Sequence, residues 1–352
     1  MREMIESSNL VSREIIAARD EIKKEFNNLR AESRSDERLP NIEECITYLA
    51  ETIKVNSLEL FINYINWAAE LFKSRSYSIQ ALKKDLKVLL DILTERFAGD
   101  KEEVIKEYIT AALKELTIDK EEIKCFLKED NPYYELAVDY LDLLLNAEKK
   151  DAYHLIHQAV KEGVEIKDIY LHVFEPVQKE IGRLWQKNEL SVATEHYCTS
   201  VTQLIMARLY PYILNSKTVG YQAVTTCVGK ELHELGVRMI ADLLEMEGWN
   251  TFHIGANTPK EDVINTVIAR EVDLVCISVT MGNHLEEVTK LIADLRAKDK
   301  FQAKIMVGGY PFNVNPDLWQ EIGADGYAPN AEESVKVAQE LVNIAAENEK
   351  YD

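Results

Sequence analysis

The chain has 352 residues, more than one typical domain, so two or three domains are expected. Its 46% hydrophobic and 29% charged residues are ordinary for a globular protein, and only 8 Pro and 13 Gly favour a largely helical chain. The net charge of -20 repels a phosphate backbone, and no long run of Lys and Arg offsets it, so composition disfavours direct binding to nucleic acid.

Cysteine usage and the N-terminus indicate where the protein works. The cysteines are scattered and form no CxxC pair, so no disulfide framework is expected, as suits a reducing cytoplasm. The N-terminus opens with charged residues, and no apolar stretch reaches the roughly 20 residues that span a bilayer. We therefore expect a cytoplasmic protein without a membrane segment.

The first third of the chain has the pattern of amphipathic helices. Apolar residues recur at helical spacing from about Val11 to Lys128, as in "CITYLAETIKVNSLELFINYINWAAELF". This pattern predicts an all-helical N-terminal domain over residues 1–130. Its charged beginning, up to about Asp36, is typical of a signalling or dimerising helix. A helical domain without a ligand remains open beside a partner-binding or homo-oligomerising one.

A second helical segment follows a polar break at Asn131 and Pro132. The helical pattern then continues to about Leu214. About four helices of this length make a compact bundle, so residues 131–215 are predicted to form one.

The last part of the chain alternates short β-rich runs with helical ones. The β-rich runs are "YQAVTTCV", "WNTFHIGA", "DLVCISVT", "AKIMVGG" and "DGYAP". Such alternation predicts a doubly wound parallel sheet over residues 216–352, with a flavodoxin-like (Rossmann-like) strand order. Ligands of these sheets sit at the carboxyl ends of the strands, which is where His233 falls.

Three short motifs stand at the carboxyl ends of these strands. They are Glu231-x-His233-x-x-Gly236, Ser278-x-Thr280 and a Gly308-Gly309 pair. Taken singly, a loop histidine is usually solvated and a hydroxyl at a strand end usually caps the next helix. In this order on consecutive strands the motifs resemble those of the cobalamin-binding domain, and the resemblance covers roughly residues 219–341.

The resemblance implies a role for each motif residue. His233 would replace the cofactor's own base as the lower axial ligand of cobalt, since neutral imidazole is a suitable nitrogen donor. Glu231 would hydrogen-bond the ring, although the family usually has Asp here and Glu adds a methylene. The remaining residues would surround the nucleotide tail, either by leaving room for it or by hydrogen-bonding it: Gly236, Ser278, Thr280, Gly308 and Gly309.

A further motif lies in the preceding helical segment, where Trp185 is followed after nine residues by Glu195-His196. By itself this is a core tryptophan and a capped helix. Beside a cobalamin-type domain it resembles the helical cap of adenosylcobalamin photoreceptors. The resemblance implies that Trp185 stacks on the adenosyl group and that Glu195 and His196 offer it polar contacts. It favours adenosylcobalamin over methylcobalamin.

Two departures from the photoreceptor pattern bear on this interpretation. Gln186 stands where those proteins typically have the histidine that captures cobalt after photolysis. Water, or else His172, His196 or His154, would have to take that place. Moreover, no helix-turn-helix with basic recognition residues is visible, so the DNA-binding module of those proteins is lacking.

Our leading hypothesis is therefore a cytoplasmic, light-responsive adenosylcobalamin sensor that acts through a protein partner and is not an enzyme. The alternatives are a corrinoid methyl carrier of a methyltransferase system and a store or sensor of cobalamin that ignores light. Another tetrapyrrole would fit the cavity if His233 did not ligate. An isomerase is disfavoured, because its substrate barrel needs about 250 residues.

Overall fold

The computed structural model describes residues 2–31, 42–117, 123–214 and 217–342. The end of the charged N-terminal stretch and the end of the last predicted helix lie outside these ranges. The chain divides into two compact units. The N-terminal unit is built on Met1–Glu122 and includes Met281–Glu286 and Val314–Glu321. The second unit contains the remaining residues, and our three-part division of the chain stays a prediction.

Six helices make up the described N-terminal part of the first unit, and their apolar faces pack into one core that includes Ile46, Phe61 and Leu86. Local sequence sets some of their ends: the Ser78 hydroxyl accepts the Gln80 N–H at the start of one helix. The helices are α1 (Arg2–Ala17), α2 (Arg19–Ala31), α3 (Ile42–Lys54), α4 (Leu58–Ser74), α5 (Ile79–Arg96) and α6 (Asp100–Glu115).

The charged stretch at the N-terminus contributes to this core. Arg30 of α2 is 1% exposed, and its Nε lies 2.5 Å from Oδ1 of Asp85 on α5, which is fully buried. Removing one partner of such a buried pair leaves an uncompensated charge and typically costs about 3–5 kcal/mol. The pair therefore holds α2 within the unit.

The second unit begins with the helices of the predicted bundle, which we call the cap helices. Their core contains the aromatic side chains of Tyr140, Tyr170 and Phe174. The longest of the described cap helices is capped by Ser191, whose hydroxyl accepts the Thr194 N–H at 3.1 Å. The elements are α7 (Tyr134–Leu145), α8 (Lys149–Lys161), the short α9 (Ile166–Asp168), a π-helical stretch (Ile169–Phe174), α10 (Glu175–Gln186) and α11 (Val192–Ile213).

A five-stranded parallel sheet follows, with strand order β2-β1-β3-β4-β5, which confirms the predicted doubly wound fold. The strands are β1 (Gln222–Cys227), β2 (Asn250–Gly255), β3 (Leu274–Ser278), β4 (Lys304–Gly308) and β5 (Gly326–Ala328). The helices that follow β1 along the chain are α12 (Leu235–Met246), α13 (Lys260–Arg270), α14 (Leu285–Arg296), α15 (Tyr310–Val314), α16 (Leu318–Glu321) and α17 (Ala331–Leu341). Of these, α16 is grouped with the N-terminal unit.

The register of the sheet aligns the strand ends. Cys227 pairs with Ser278, Ser278 with Gly308, and Gly308 with Ala328. Two of these residues belong to the motifs predicted from the sequence. The sheet therefore brings the starts of the His233 loop, the Ser-x-Thr motif and the Gly-Gly pair to one edge.

Helix α12 joins the cap helices to the sheet. Met239 of α12 belongs to the apolar core of the cap helices. The Tyr170 hydroxyl on the π-helical stretch donates to Oδ2 of Asp242, also on α12, at 2.8 Å. The cap helices and the sheet consequently share one helix and form one unit.

None of the described helices is both long enough and apolar enough to cross a membrane.

Candidate cofactor site

The site is centred on the loop between β1 and α12. The chain leaves β1 at Cys227 and turns through Lys230, whose φ of 70° lies in the left-handed region. Glu231 follows with its side chain fully buried, whereas the His233 side chain is 59% exposed. A buried carboxylate thus stands directly behind an exposed imidazole.

Glu231 binds three groups with its two oxygens. Its Oε1 lies 2.5 Å from Nδ1 of His233 and accepts the backbone N–H of the same residue at 3.1 Å. Its Oε2 accepts the backbone N–H of Thr280 at 2.9 Å. Because an ionised carboxylate can only accept, Nδ1 carries the ring proton, and the lone pair is left on Nε2. The arrangement presents Nε2 as a nitrogen donor.

The hydrogen bond that His233 donates to Glu231 also raises the pKa of His233, and the carboxylate of Glu195 acts in the same direction. Burial opposes this effect. A carboxylate on the far nitrogen makes an imidazole a stronger donor to a metal, as in the carboxylate–histidine pairs of metal sites. The position of Glu231 therefore allows it to hydrogen-bond the His233 ring, which is the role that the resemblance implies.

One face of α11 is turned toward this loop. Residues 192, 195, 199 and 203 are spaced by three, four and four positions, which places Val192, Glu195, Thr199 and Gln203 on the same side of a helix. Gln203 donates from Nε2 to Oε1 of Glu234 at 3.2 Å. The electrostatic effect of Glu195 on His233 is consistent with this orientation.

Several polar residues of this region were not predicted. Glu234 accepts the Ala256 N–H at 2.9 Å and also binds Gln203, so it ties the His233 loop to both β2 and α11. The Thr199 hydroxyl lies 3.0 Å from Oε1 of Gln178 and 3.3 Å from Oε1 of Glu195. Helical spacing from Glu195 was the available signal for Thr199 and Gln203.

The remaining predicted cap residues are less closely tied to the loop. Trp185 is half-buried at the end of α10, and Gln186 beside it is buried. His196 is 73% exposed, and its Nε2 lies 3.4 Å from Oε2 of Glu195. Two of the histidines considered as substitutes lie against tyrosines, His172 against Tyr133 and His154 against Tyr153.

The predicted glycines differ in what surrounds them. A Cβ at Gly236 would meet no atom within 4 Å, so the space beside it is open. A Cβ at Gly309 would lie 1.9 Å from the Val279 carbonyl oxygen, and its φ is +106°. The backbone therefore requires glycine at position 309 whether or not a ligand binds. At Gly308 the nearest atom is the Ala328 carbonyl oxygen, 3.2 Å away.

These residues fit a flat, largely apolar group with a metal at its centre. The exposed imidazole offers one axial nitrogen, and Leu232 beside it is 70% exposed. Val192, on the facing side of α11, is 51% exposed. Open space at Gly236 leaves room for a substituent that passes the start of α12. A cobalamin matches each of these features.

Comparison with known families agrees with this reading of the site. Residues 221–336 match a family model described as "B12 binding domain", and residues 136–210 match a second model of the same description. The sheet and the cap helices are therefore B12-binding domains.

Similar proteins include corrinoid proteins of Methanosarcina species. Dimethylamine corrinoid protein 3 of Methanosarcina acetivorans is 31% identical over 34% of this chain and 55% of its own. Dimethylamine corrinoid protein of Methanosarcina barkeri is 26% identical over 59% of this chain and 98% of its own. The solved structure of the Methanosarcina barkeri monomethylamine corrinoid protein has a TM-score of 0.54, at 24% identity, over 59% of this chain and 99% of its own, and so shows the same fold.

Proposed function

We propose that this protein is a corrinoid methyl carrier that serves a methyltransferase system acting on methylated amines. The observation that carries the proposal is the Glu231–His233 pair, in which the buried carboxylate binds Nδ1 of a largely exposed imidazole and leaves Nε2 as the donor nitrogen. The relatives named for dimethylamine and monomethylamine support the substrate class. They favour the methyl-carrier alternative over the light-responsive sensor that was our leading hypothesis from the sequence.

The protein's own residues have distinct tasks in this proposal. A bound cobalamin would supply cobalt, which can hold and release a methyl group. His233 would hold that metal through Nε2, and Glu231 holds the ring in one tautomer and orientation. The Thr280 amide in turn orients Glu231. Helix α11 would shield the bound cofactor from water, and the Gln203–Glu234 hydrogen bond ties that helix to the loop.

The first test is whether His233 ligates cobalt. The protein is produced with ¹⁵N-labelled histidine, loaded with cobalamin reduced to the cobalt(II) state, and examined by electron paramagnetic resonance. Ligation by His233 gives a doublet splitting from ¹⁵N in place of the triplet from ¹⁴N. His233→Ala should lose the doublet, and His196→Ala is the matched control that should keep it. A doublet that persists in His233→Ala would contradict the proposal.

The second test concerns methyl transfer. Protein loaded with cobalamin that is reduced to the cobalt(I) state is mixed with a methylamine:corrinoid methyltransferase and dimethylamine or monomethylamine. Its absorption spectrum is followed while the methyl group passes to cobalt and the demethylated amine leaves. We expect a methylated cobalamin spectrum that requires both the amine and the methyltransferase. Glu231→Gln should lower the rate by about tenfold to a hundredfold, the usual effect of removing the partner of a metal-bound histidine.

A second candidate function is a light-responsive adenosylcobalamin sensor, which the Trp185 and Glu195-His196 motif favours. The two candidates differ in their response to light. Protein loaded with adenosylcobalamin is analysed by size-exclusion chromatography in the dark and after green light. A light-dependent change in elution volume, together with no methyl transfer from amines, would contradict the methyl-carrier function and support the sensor function.

A further inference from the structure

The loop that follows Thr280 is part of the N-terminal unit. Met281–Glu286 is grouped with that unit, and Met281 packs against its apolar core. Thr280 is the residue whose backbone N–H binds Glu231. The residue whose amide orients Glu231 is thus followed at once in the chain by a segment that the N-terminal helices hold.

Helix α3 holds this segment with three residues spaced by one turn. Tyr48 accepts the backbone N–H of Gly282 on its hydroxyl at 2.9 Å, and Oε2 of Glu51 accepts the N–H of Glu286 at 3.1 Å. Nζ of Lys54 lies 2.8 Å from Oε1 of Glu286. Positions 48, 51 and 54 lie on one face of the helix, so a single face makes all three contacts.

The contact at Tyr48 is close and buried. Tyr48 is 8% exposed and stacks on Tyr64 with the ring centroids 4.0 Å apart. A Cβ at Gly282 would come within 2.8 Å of the Tyr48 ring, so this approach requires glycine. A buried tyrosine packed on a second ring has few conformations to choose from, which makes it a rigid acceptor.

We propose that Tyr48 and Glu51 are positioning residues for the cobalt ligand. By holding Gly282 and Glu286, they keep the Thr280 amide aimed at Glu231, and Glu231 keeps the His233 ring in its ligating orientation. The N-terminal unit would thereby set the fraction of cobalamin that carries His233 as its lower ligand. This inference rests on the proposed function, because it requires that His233 binds cobalt.

The helix that carries Tyr48 and Glu51 lies outside the part of the chain that matches the B12-binding models. The Methanosarcina barkeri dimethylamine corrinoid protein is matched over 98% of its length by only 59% of this chain, and the family models cover residues 136–210 and 221–336. The residues that hold the loop, Tyr48 and Glu51, lie outside the matched models. A control over the lower ligand by α3 would be a property of this chain's additional helices.

The test compares Tyr48→Phe with Tyr108→Phe in the full-length protein. Tyr48→Phe removes the acceptor for Gly282 and keeps the ring that stacks on Tyr64. Tyr108→Phe is the matched control, since its hydroxyl binds the Thr52 carbonyl within the same helical core. Two quantities are measured: amide hydrogen exchange of residues 278–286 without cobalamin, and the cobalt(II) nitrogen splitting with ¹⁵N-histidine after loading.

We expect Tyr48→Phe to speed exchange at residues 278–286 and to lower the ratio of His-ligated to unligated cobalt, each by about two- to tenfold, as the loss of one hydrogen bond predicts. Tyr108→Phe should change neither quantity. A second variant, Gly282→Ala, should act in the same direction because its Cβ displaces the loop from Tyr48.

The outcomes separate the inference from the proposed function. Unchanged exchange in Tyr48→Phe and Gly282→Ala, or faster exchange with an unchanged His-ligated fraction, would overturn the inference alone. A wild-type protein without the histidine splitting would overturn cobalt ligation by His233, and the inference with it. Equal effects of Tyr48→Phe and Tyr108→Phe would show a general loosening of the unit and would also overturn the inference.

Discussion

At the scale of single residues, Glu231 accounts for most of the geometry of the site. The resembling family usually has Asp at this position. The longer Glu side chain reaches the imidazole and the His233 amide with one oxygen and the Thr280 amide with the other. Its burial means that these partners must compensate for its removal from water. The additional methylene is therefore compatible with the direct hydrogen bond expected of the shorter residue.

A prediction at this scale uses the two glycines with opposite surroundings. Gly236→Ala adds a Cβ in open space within the first turn of α12, where Ala is the better helix former. We expect the cofactor-free protein to keep its stability or gain up to about 1 kcal/mol, while cobalamin affinity falls about tenfold or more if the nucleotide loop passes there. Denaturant titration and calorimetric titration with cobalamin measure the two effects.

Gly309→Ala is the matched comparison. Its Cβ would overlap the Val279 carbonyl, and its backbone has a positive φ, so the cofactor-free protein should lose about 2–4 kcal/mol. If Gly236→Ala left cobalamin affinity unchanged, the space beside Gly236 would have no role in binding.

At the scale of elements, the buried contact between the π-helical stretch and α12 predicts a pH dependence. Burial raises the pKa of Asp242 to about 6. The hydrogen bond from Tyr170 and the charge of Arg238 lower it, and Glu245 raises it. Because the folded-state pKa exceeds the usual value for Asp, the folded protein binds more protons than the unfolded chain between about pH 4 and pH 6. Stability from this group is therefore lost as the pH rises through that window.

The variant Asp242→Asn tests whether stability falls as the pH rises. Its amide oxygen can still accept from Tyr170, and it has no charge to bury. We expect Asp242→Asn to match the wild type near pH 4 and to exceed its free energy of unfolding by about 2–3 kcal/mol at pH 8. Denaturant titrations at both pH values give the difference. If the free energy of unfolding of the wild type instead rose relative to that of Asp242→Asn as the pH increased, the raised pKa of Asp242 would be contradicted.

At the scale of the whole molecule, cobalamin should stabilise the second unit. A ligand that binds only the folded state adds about 2.7 kcal/mol when its concentration is a hundred times the dissociation constant. Hydrogen exchange with and without cobalamin should show protection of residues 228–236 and of α11, while α5 should serve as the unaffected reference. Protection confined to the sheet, with α11 unchanged, would argue that the cap helices do not cover the cofactor.

The fold was predictable because it depends on periodicity. Alternating strand and helix patterns allow few topologies, and right-handed crossovers select the observed strand order. The same order places the three motifs at one edge, so Glu231, His233 and Ser278 could be grouped before their distances were known. The helical character of the N-terminal region followed from its spacing in the same way.

The sequence by itself determined the fold class, the strand order and the grouping of the motif residues, since all three follow from residue type and spacing. Only the tertiary structure decided that Glu231 binds the Thr280 amide, 49 positions away, and that Tyr48 binds the Gly282 amide, 234 positions away. Every residue except proline has a backbone amide, so no residue type in the sequence marks which one a distant side chain will bind. Such pairs are selected by packing.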